Sequence, residues 1–403
     1  MESMAATRKQ MQVSHASRVL SVSPLFDCRD HLPQQRPIAL SYCTNPLIPH
    51  QKQANHPFRL VYNWVMVDQE LSLFHDTAPI LSITELGTPM PGSESLWFAK
   101  DPIEWLAAIQ MNNGANWMNP TSLSSPPVQP SLCDLFQDLL HESRRHGSLS
   151  PLELRLLLHP IQSLLFHLRQ VSSCFSDLFS SRRGSRTLTK TSTLLRLEEI
   201  QSLLQKWYEL STTKANSNCL TTQANLVLYH FISLNAITSF TETERLARRE
   251  GFDGSSRELS SRYKRCIHQP EEAVFHCGQV IRILSSMPKE RQPYWWSTAI
   301  YRATMILWVE SLFRLDQDTL GTESQVLPIN MATEDDPLVV AFLGSGEGTP
   351  VLRTEQRDYK LLPDEVLSHC VALINDQGQS LRVSEGINRK LQTLAANWSM
   401  KAI

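Results

Sequence analysis

The sequence predicts a mainly α fold: a large helical domain of amphipathic helices with long loops and at most one small β-hairpin. Three observations carry this expectation. Glycine supplies only 14 of 403 residues, a low count for a protein built from sheets and tight turns. Apolar side chains recur three and four positions apart in five or more segments, the spacing of one helical face. No alternation of strand and helix patterns is present, so a βαβ unit cannot be assembled, and no repeat of fixed period points to a solenoid.

Residues 1–55 are rich in Ser, Gln, His and Pro without apolar periodicity and read as a disordered leader; residues 56–403 read as the helical domain. Pro57 suits a first helical turn, and Leu60, Trp64, Val67, Leu71 and Phe74 then form one stripe. A turn-rich stretch at 87–95 ends that unit. Asp101, Pro102 and Glu104 take cap, first and third positions of the next helix, where carboxylates can accept from free amides. Residues 112–130 hold four prolines and read as a Pro/Ser-rich linker. Beyond it, Leu132, Leu135, Phe136, Leu139 and Leu140 share a face; Arg144, Arg145 and His146 suit that helix's negative end, and Gly147 stops it.

Ser150, Pro151 and Glu153 repeat the cap–Pro–Glu device and open a Leu-rich helix interrupted by Pro160. A basic Ser/Arg/Thr patch at 180–193 separates it from a helix at 194–210. Further helices are expected at 222–250, 271–287 and 294–313, and the chain closes with helical patterns at 364–374 and 386–398. The one expected strand pair lies between 338 and 361, from LVVAFL and PVLRT around a Gly-rich bend.

Charge and cysteine usage narrow the function classes. Lys and Arg sum to 38 against 40 Asp and Glu, a balance that counts against a self-sufficient nucleic-acid binder. Eight cysteines with no CxxC spacing suit reduced thiols better than a disulfide scaffold or zinc ribbon. No apolar run reaches the ~18 residues of a membrane span, and no signal peptide is apparent, so a soluble intracellular protein is expected.

Sites of chemistry are mostly missing from the pattern. Glu334, Asp335 and Asp336 have no third carboxylate one turn on, and Pro337 disrupts a helix that would present them to magnesium; a solvated loop is expected. His141 and Glu142 begin like a zinc-protease motif, but His146 lies about 140° around the helix from His141. Cys266, His268, His276 and Cys277 form the densest Cys/His cluster, yet Cys277 falls on an apolar stripe as a core thiol and His276 at its boundary. GSGEG at 344–348 reads as a turn rather than a phosphate loop, and no serine elbow or catalytic-cysteine context occurs. Trp295, Trp296 and Trp308 share one helix at core-like spacing.

As a set, the same segments resemble the regulatory region of fungal transcription factors, the helical fungal-specific transcription factor domain, and most of all the subset whose DNA reader is a pair of two-Cys, two-His zinc fingers. Arg59, Asp68, Pro79, Trp97, Ala99 and Trp105 carry the first part of the resemblance. Residues 226–251 look like that family's later long helix. His276, Gly278, Gln279, Pro293, Trp295 and Trp296 are similar to its paired helices, and residues 349–353, 366–374 and 386–398 to its end. Neither zinc fingers nor a six-cysteine zinc cluster occurs in this chain; Cys28 and Cys43 stand alone.

The resemblance implies a nuclear, non-enzymatic transcription regulator retaining only the regulatory domain, in part, with a secondary-metabolite gene cluster as its expected target. It would act through protein partners of the transcription machinery or a homologous regulator, as a homodimer or with a small effector bound between helices. No membrane is involved. Zinc and DNA would be engaged only by a module missing from this chain. Trp64, Asp68, Trp97, Trp105, Trp295 and Trp296 are the expected packing anchors, and no residue is assigned to catalysis. The rival readings are a DNA-independent interaction module that modulates a full-length homologue, and an all-α enzyme of specialised metabolism.

Overall fold

A computed structural model describes residues 47–92, 95, 98–101, 103–104, 107–108, 130–141, 149–178, 186–212, 219–317, 325–355, 357–376 and 382–398. Among them are twelve α-helices and one three-stranded sheet, so the chain is mainly helical as expected. Trp97, Trp105, nearly all of the linker at 112–130 and the first 46 residues of the leader lie outside the described residues.

The chain divides into two compact units. The first comprises residues 1–64 and 80–131; the second comprises 65–79 and 132–403. Helix α1 (Leu47–His75) begins inside the stretch read as a leader. In the first unit, Tyr62 is buried and donates its hydroxyl to the Thr88 carbonyl at 2.6 Å, while Arg59 donates to the Gly92 carbonyl at 3.3 Å. Pro89 and Ser131 form an antiparallel bridge. The expected Asp101 cap is present: its Oδ1 accepts from the amides of Ile103 and Glu104 at 2.9 and 2.8 Å.

Trp64 requires a correction. It is 49% exposed, and Leu60, Val67 and Leu71 of the same stripe are exposed with it; only Phe74 is buried. The buried face instead carries Tyr62, Val65, Asp68, Gln69, Ser72 and Leu73. Asp68 accepts from His159 Nε2 at 3.1 Å, and Arg155 bonds Gln69 as well as Glu70, the latter at 2.8 Å. Polar groups can be buried when they are paired, so counting apolar positions selected the wrong face.

In the second unit, α2 (Leu132–His141) packs against α3 (Pro151–Leu178). The Ser150/Glu153 capping box that opens α3 is closed in both directions, at 2.6 and 3.2 Å, and α3 runs on through Pro160. Helix α4 (Arg186–Thr212) starts within the patch read as a separator. The long helix expected at 222–250 is two helices, α5 (Leu220–Ile237) and α6 (Phe240–Ala247). At the break, the Ser239 amide donates to the Cys266 carbonyl and the His268 amide to the Ile237 carbonyl, a strand-like bridge. That bridge ties the α5–α6 corner to the corner between α7 (Ser256–Cys266) and α8 (Pro270–Ser286), contacts that no local pattern encodes.

Helix α9 (Trp296–Gln317) is the centre of this unit. Residues 299–312 are all buried, so this stretch is enclosed on every side rather than amphipathic. Helices α6, α7 and α8 pack on it, as do α11 (Pro363–Asp376) and α12 (Arg382–Asn397). Its two buried charges are matched: Arg302 grips Asp76 at 2.8 and 3.2 Å, and Glu310 accepts from Tyr263 at 2.5 Å and from Arg314 at 2.7 Å.

The sheet corrects the expected hairpin. Residues 338–343 belong to helix α10 (Pro337–Ser345), because Asp336 caps the Leu338 amide at 2.9 Å and Pro337 occupies the first turn instead of breaking a helix. Gly346 ends it with φ 73, a left-handed cap. The strand at β2 (Thr349–Arg353) pairs in parallel with β1 (Val326–Pro328) and antiparallel with β3 (Asp358–Lys360).

The turn after β1 is locked onto α8. Gln279 donates to the Ala332 carbonyl at 2.8 Å, and Asn330 exchanges two 2.8 Å bonds with the Arg353 backbone, extending the sheet with a side chain. A Cβ on Gly278 would stand 2.4 Å from the Ile329 carbonyl oxygen, a backbone atom that cannot swing away. Gly278→Ala is therefore expected to destabilise the chain by roughly 2–3 kcal/mol in urea unfolding. A loss within about 0.5 kcal/mol, the range of neutral surface changes, would show that the α8–turn contact is loose.

Candidate functional site

Helices α4, α5 and α8 enclose a pocket of about 380 Å³, closed further by Glu334 and by Leu343 of α10. Each wall follows from the packing just described. The bridge at Thr238 holds the ends of α5 and α8 side by side, and the Gln279 clamp carries the turn that leads to Glu334. The lining combines apolar side chains, including Leu204, Ile237 and Phe275, with the amides of Gln201, Gln205 and Gln269 and the Ser233 hydroxyl.

The aromatic wall is ordered by stacking. Tyr229 lies between Trp207 and Tyr208, with ring centroids at 5.6 and 4.9 Å and near-parallel planes. Trp207 is fixed in turn by its indole N–H, which donates to the Leu154 carbonyl at 2.8 Å. Burial raises both tyrosine hydroxyls above their ordinary range, and the Glu334 carboxylate adds to it. Neither phenol ionises near neutral pH.

The pocket's histidine, His276, meets His230 of α5 with 2.9 Å between the two Nδ1 atoms. Two ring nitrogens at that distance need one hydrogen between them, so one ring donates and the other accepts. Burial holds His276 neutral down to about 4, and it also pushes His230 well below the ordinary imidazole range, helped by His276 and Arg282. Two imidazoliums in this contact would repel without solvent to screen them.

Sequence reasoning named packing anchors and no binding residue. Asp68 lies in the α1–α3 polar contact, Trp295 stacks on Phe74 at 5.1 Å, and Trp296 is buried at the start of α9. None of these lines the pocket. Cys277 is a buried thiol whose ionisation is suppressed by burial, and Cys266 is pushed up to about 11 by the same cause. Among the described residues, no group of three or more His, Cys, Asp or Glu could hold a metal ion. No helix among them is long and apolar enough to cross a membrane. Glu334, read as a loop carboxylate, is a pocket residue, and the His230 partner had no sequence signal because 46 residues separate it from His276.

The buried imidazoles set a pH dependence with a definite sign. In the unfolded chain they titrate near the ordinary value of about 6.5. In the folded chain His276 and His369 stay neutral to about 4. Between these values the unfolded chain binds more protons, so stability is complete above about pH 6.5 and falls as pH drops toward 4. His276 alone contributes on the order of 3 kcal/mol across that window. Urea unfolding in steps from pH 7.5 to 4.5 should show the decline, and His276→Gln should make it shallower, with His369 still contributing; a flat wild-type profile would refute the buried pair.

No protein-family model and no solved structure matches the chain. Curated relatives do, and three of them illustrate the likeness. It is 43% identical over 346 residues to Transcription factor 1 of Elsinoe fawcettii, covering 83% of this chain and 35% of that protein. It is 41% identical over 357 residues to Transcription factor PfmaH of Pestalotiopsis fici, with 84% and 35% covered. The likeness to Transcription factor opdJ of Penicillium oxalicum is 33% over 270 residues, with 64% and 30% covered. The chain is homologous to fungal transcription factors and spans 35% of the length of the first of them.

Proposed function

We propose that this chain is the helical regulatory portion of a nuclear fungal transcription factor, acting through protein contacts and through an effector held in the α4–α5–α8 pocket. The observation that carries this reading is the 43% identity, sustained over 346 residues, to a protein named as a transcription factor. Sequence and structure support the division of labour. The chain is near-neutral, with 38 Lys and Arg against 40 Asp and Glu, where a duplex reader needs a basic face. Its interior is spent on packing: residues 299–312 of α9 are buried, and the two charges among them are matched by Asp76, Tyr263 and Arg314. In this reading DNA and zinc are engaged by a finger module outside these residues, and the resemblance extends the target to a secondary-metabolite gene cluster.

Fused to a heterologous DNA-binding domain, residues 1–403 are expected to change the output of a reporter relative to that domain alone. The isolated chain is expected to bind duplex DNA weakly and without sequence preference in a salt series. Reporter output equal to the bare domain would overturn the regulatory reading. Selective binding tighter than ~1 µM at physiological salt, with a steep salt slope, would overturn the division of labour.

A further inference from the structure

We propose that the α4–α5–α8 pocket takes a small organic cation, an apolar or aromatic body bearing an ammonium group that pairs with Glu272. The volume, about 380 Å³, lies in the range of small-molecule sites. Its lining contains two carboxylates, Glu272 and Glu334, and neither lysine nor arginine. His276 adds no charge, since burial keeps it neutral.

The two carboxylates differ in their surroundings. Glu334 is hydrogen-bonded by the Tyr208 hydroxyl. Glu272 has no hydrogen-bond or ion-pair partner among the described residues, and burial raises its carboxyl, with Glu271 adding to the effect. Arg282, the nearby guanidinium, donates its Nε to the Gln279 side-chain Oε1 at 2.8 Å and does not line the pocket. A half-buried carboxylate left alone is costly, and an ammonium removes that cost by supplying the missing charge. An anionic ligand would bring a third negative charge into the same space, and a neutral one would leave Glu272 as it is. Tyr229 and Phe275 also line the site and offer aromatic surface to the body of such a ligand.

The proposal rests on the reading of this region as the effector-responsive part of a regulator. Binding to the purified chain is measured without any transcription readout, so either can fail alone. Calorimetry on the 403-residue chain with tryptamine, indole-3-ethanol and indole-3-acetate holds the body constant and changes only the charge. Tryptamine is expected to bind with a Kd between ~10 µM and ~1 mM, at least about tenfold tighter than the alcohol or the acid. Glu272→Gln should bring amine and alcohol within about threefold of each other. The wild-type charge series stands whether or not that variant folds. Alcohol or acid binding as tightly as the amine, no heat from tryptamine or phenethylamine at about 5 mM, or an unchanged preference in folded Glu272→Gln would overturn the assignment.

Discussion

A guanidinium in the middle of a fully buried helix has to find a carboxylate, and Arg302 finds Asp76, 226 residues away in the chain. The pairing is two-pronged, and the Phe240 ring covers the guanidinium at 4.2 Å. Much else follows from this one contact. It pins the C-terminal end of α1, where Asp76 adopts the left-handed conformation that ends the helix, with φ 51. It thereby presents Asp68, Gln69 and Glu70 to α3, and Phe74 to Trp295. Removing Asp76 would leave the buried Arg302 guanidinium without its carboxylate, which costs more than the intact pair contributes.

Helix α8 carries the second organising constraint, because its two faces serve different neighbours. At Gly278 and Gln279 it is bare enough, and polar enough, to accept the backbone of the turn after β1. At Glu272, Phe275 and His276 it lines the pocket. The turn that Gln279 holds by the Ala332 carbonyl delivers Glu334 two residues later, so clamp and pocket are one device. The Gly–Gln pair singled out by family resemblance thus has a physical reason: one residue permits close approach, and the next satisfies the carbonyls that approach would otherwise bury unpaired.

Legibility in the sequence followed the range of the interactions. Local devices were readable: the Ser150/Glu153 box, the Asp101 cap and the buried Trp295 and Trp296 all sit where spacing placed them. The same device was overlooked once, at Asp336–Pro337, where an apolar run suggested a strand and the cap decided for a helix. Trp64 failed for a different reason. An apolar stripe faces the core by default, but Arg155 and His159 offered the opposite face something stronger than apolar burial. The break at Thr238 and the whole pocket depend on partners dozens of residues apart, including Gln201 with Gln269 and His230 with His276. Chemistry of that kind becomes visible only when helices are laid side by side.

The contact between His230 and His276 has an implication for information rather than for stability. A ring that donates from Nδ1 keeps its Nε2 bare, and a ring that accepts at Nδ1 must carry its hydrogen on Nε2. The outer nitrogens of the two rings are therefore always opposite in kind. Whichever His276 carries at its Nε2, a bare nitrogen or an N–H, His230 carries the reverse at its own. The two rings exchange roles only when a proton crosses between the Nδ1 atoms while one is gained at one Nε2 and one is lost from the other, so a hydrogen-bonding group that fixes one outer nitrogen fixes both.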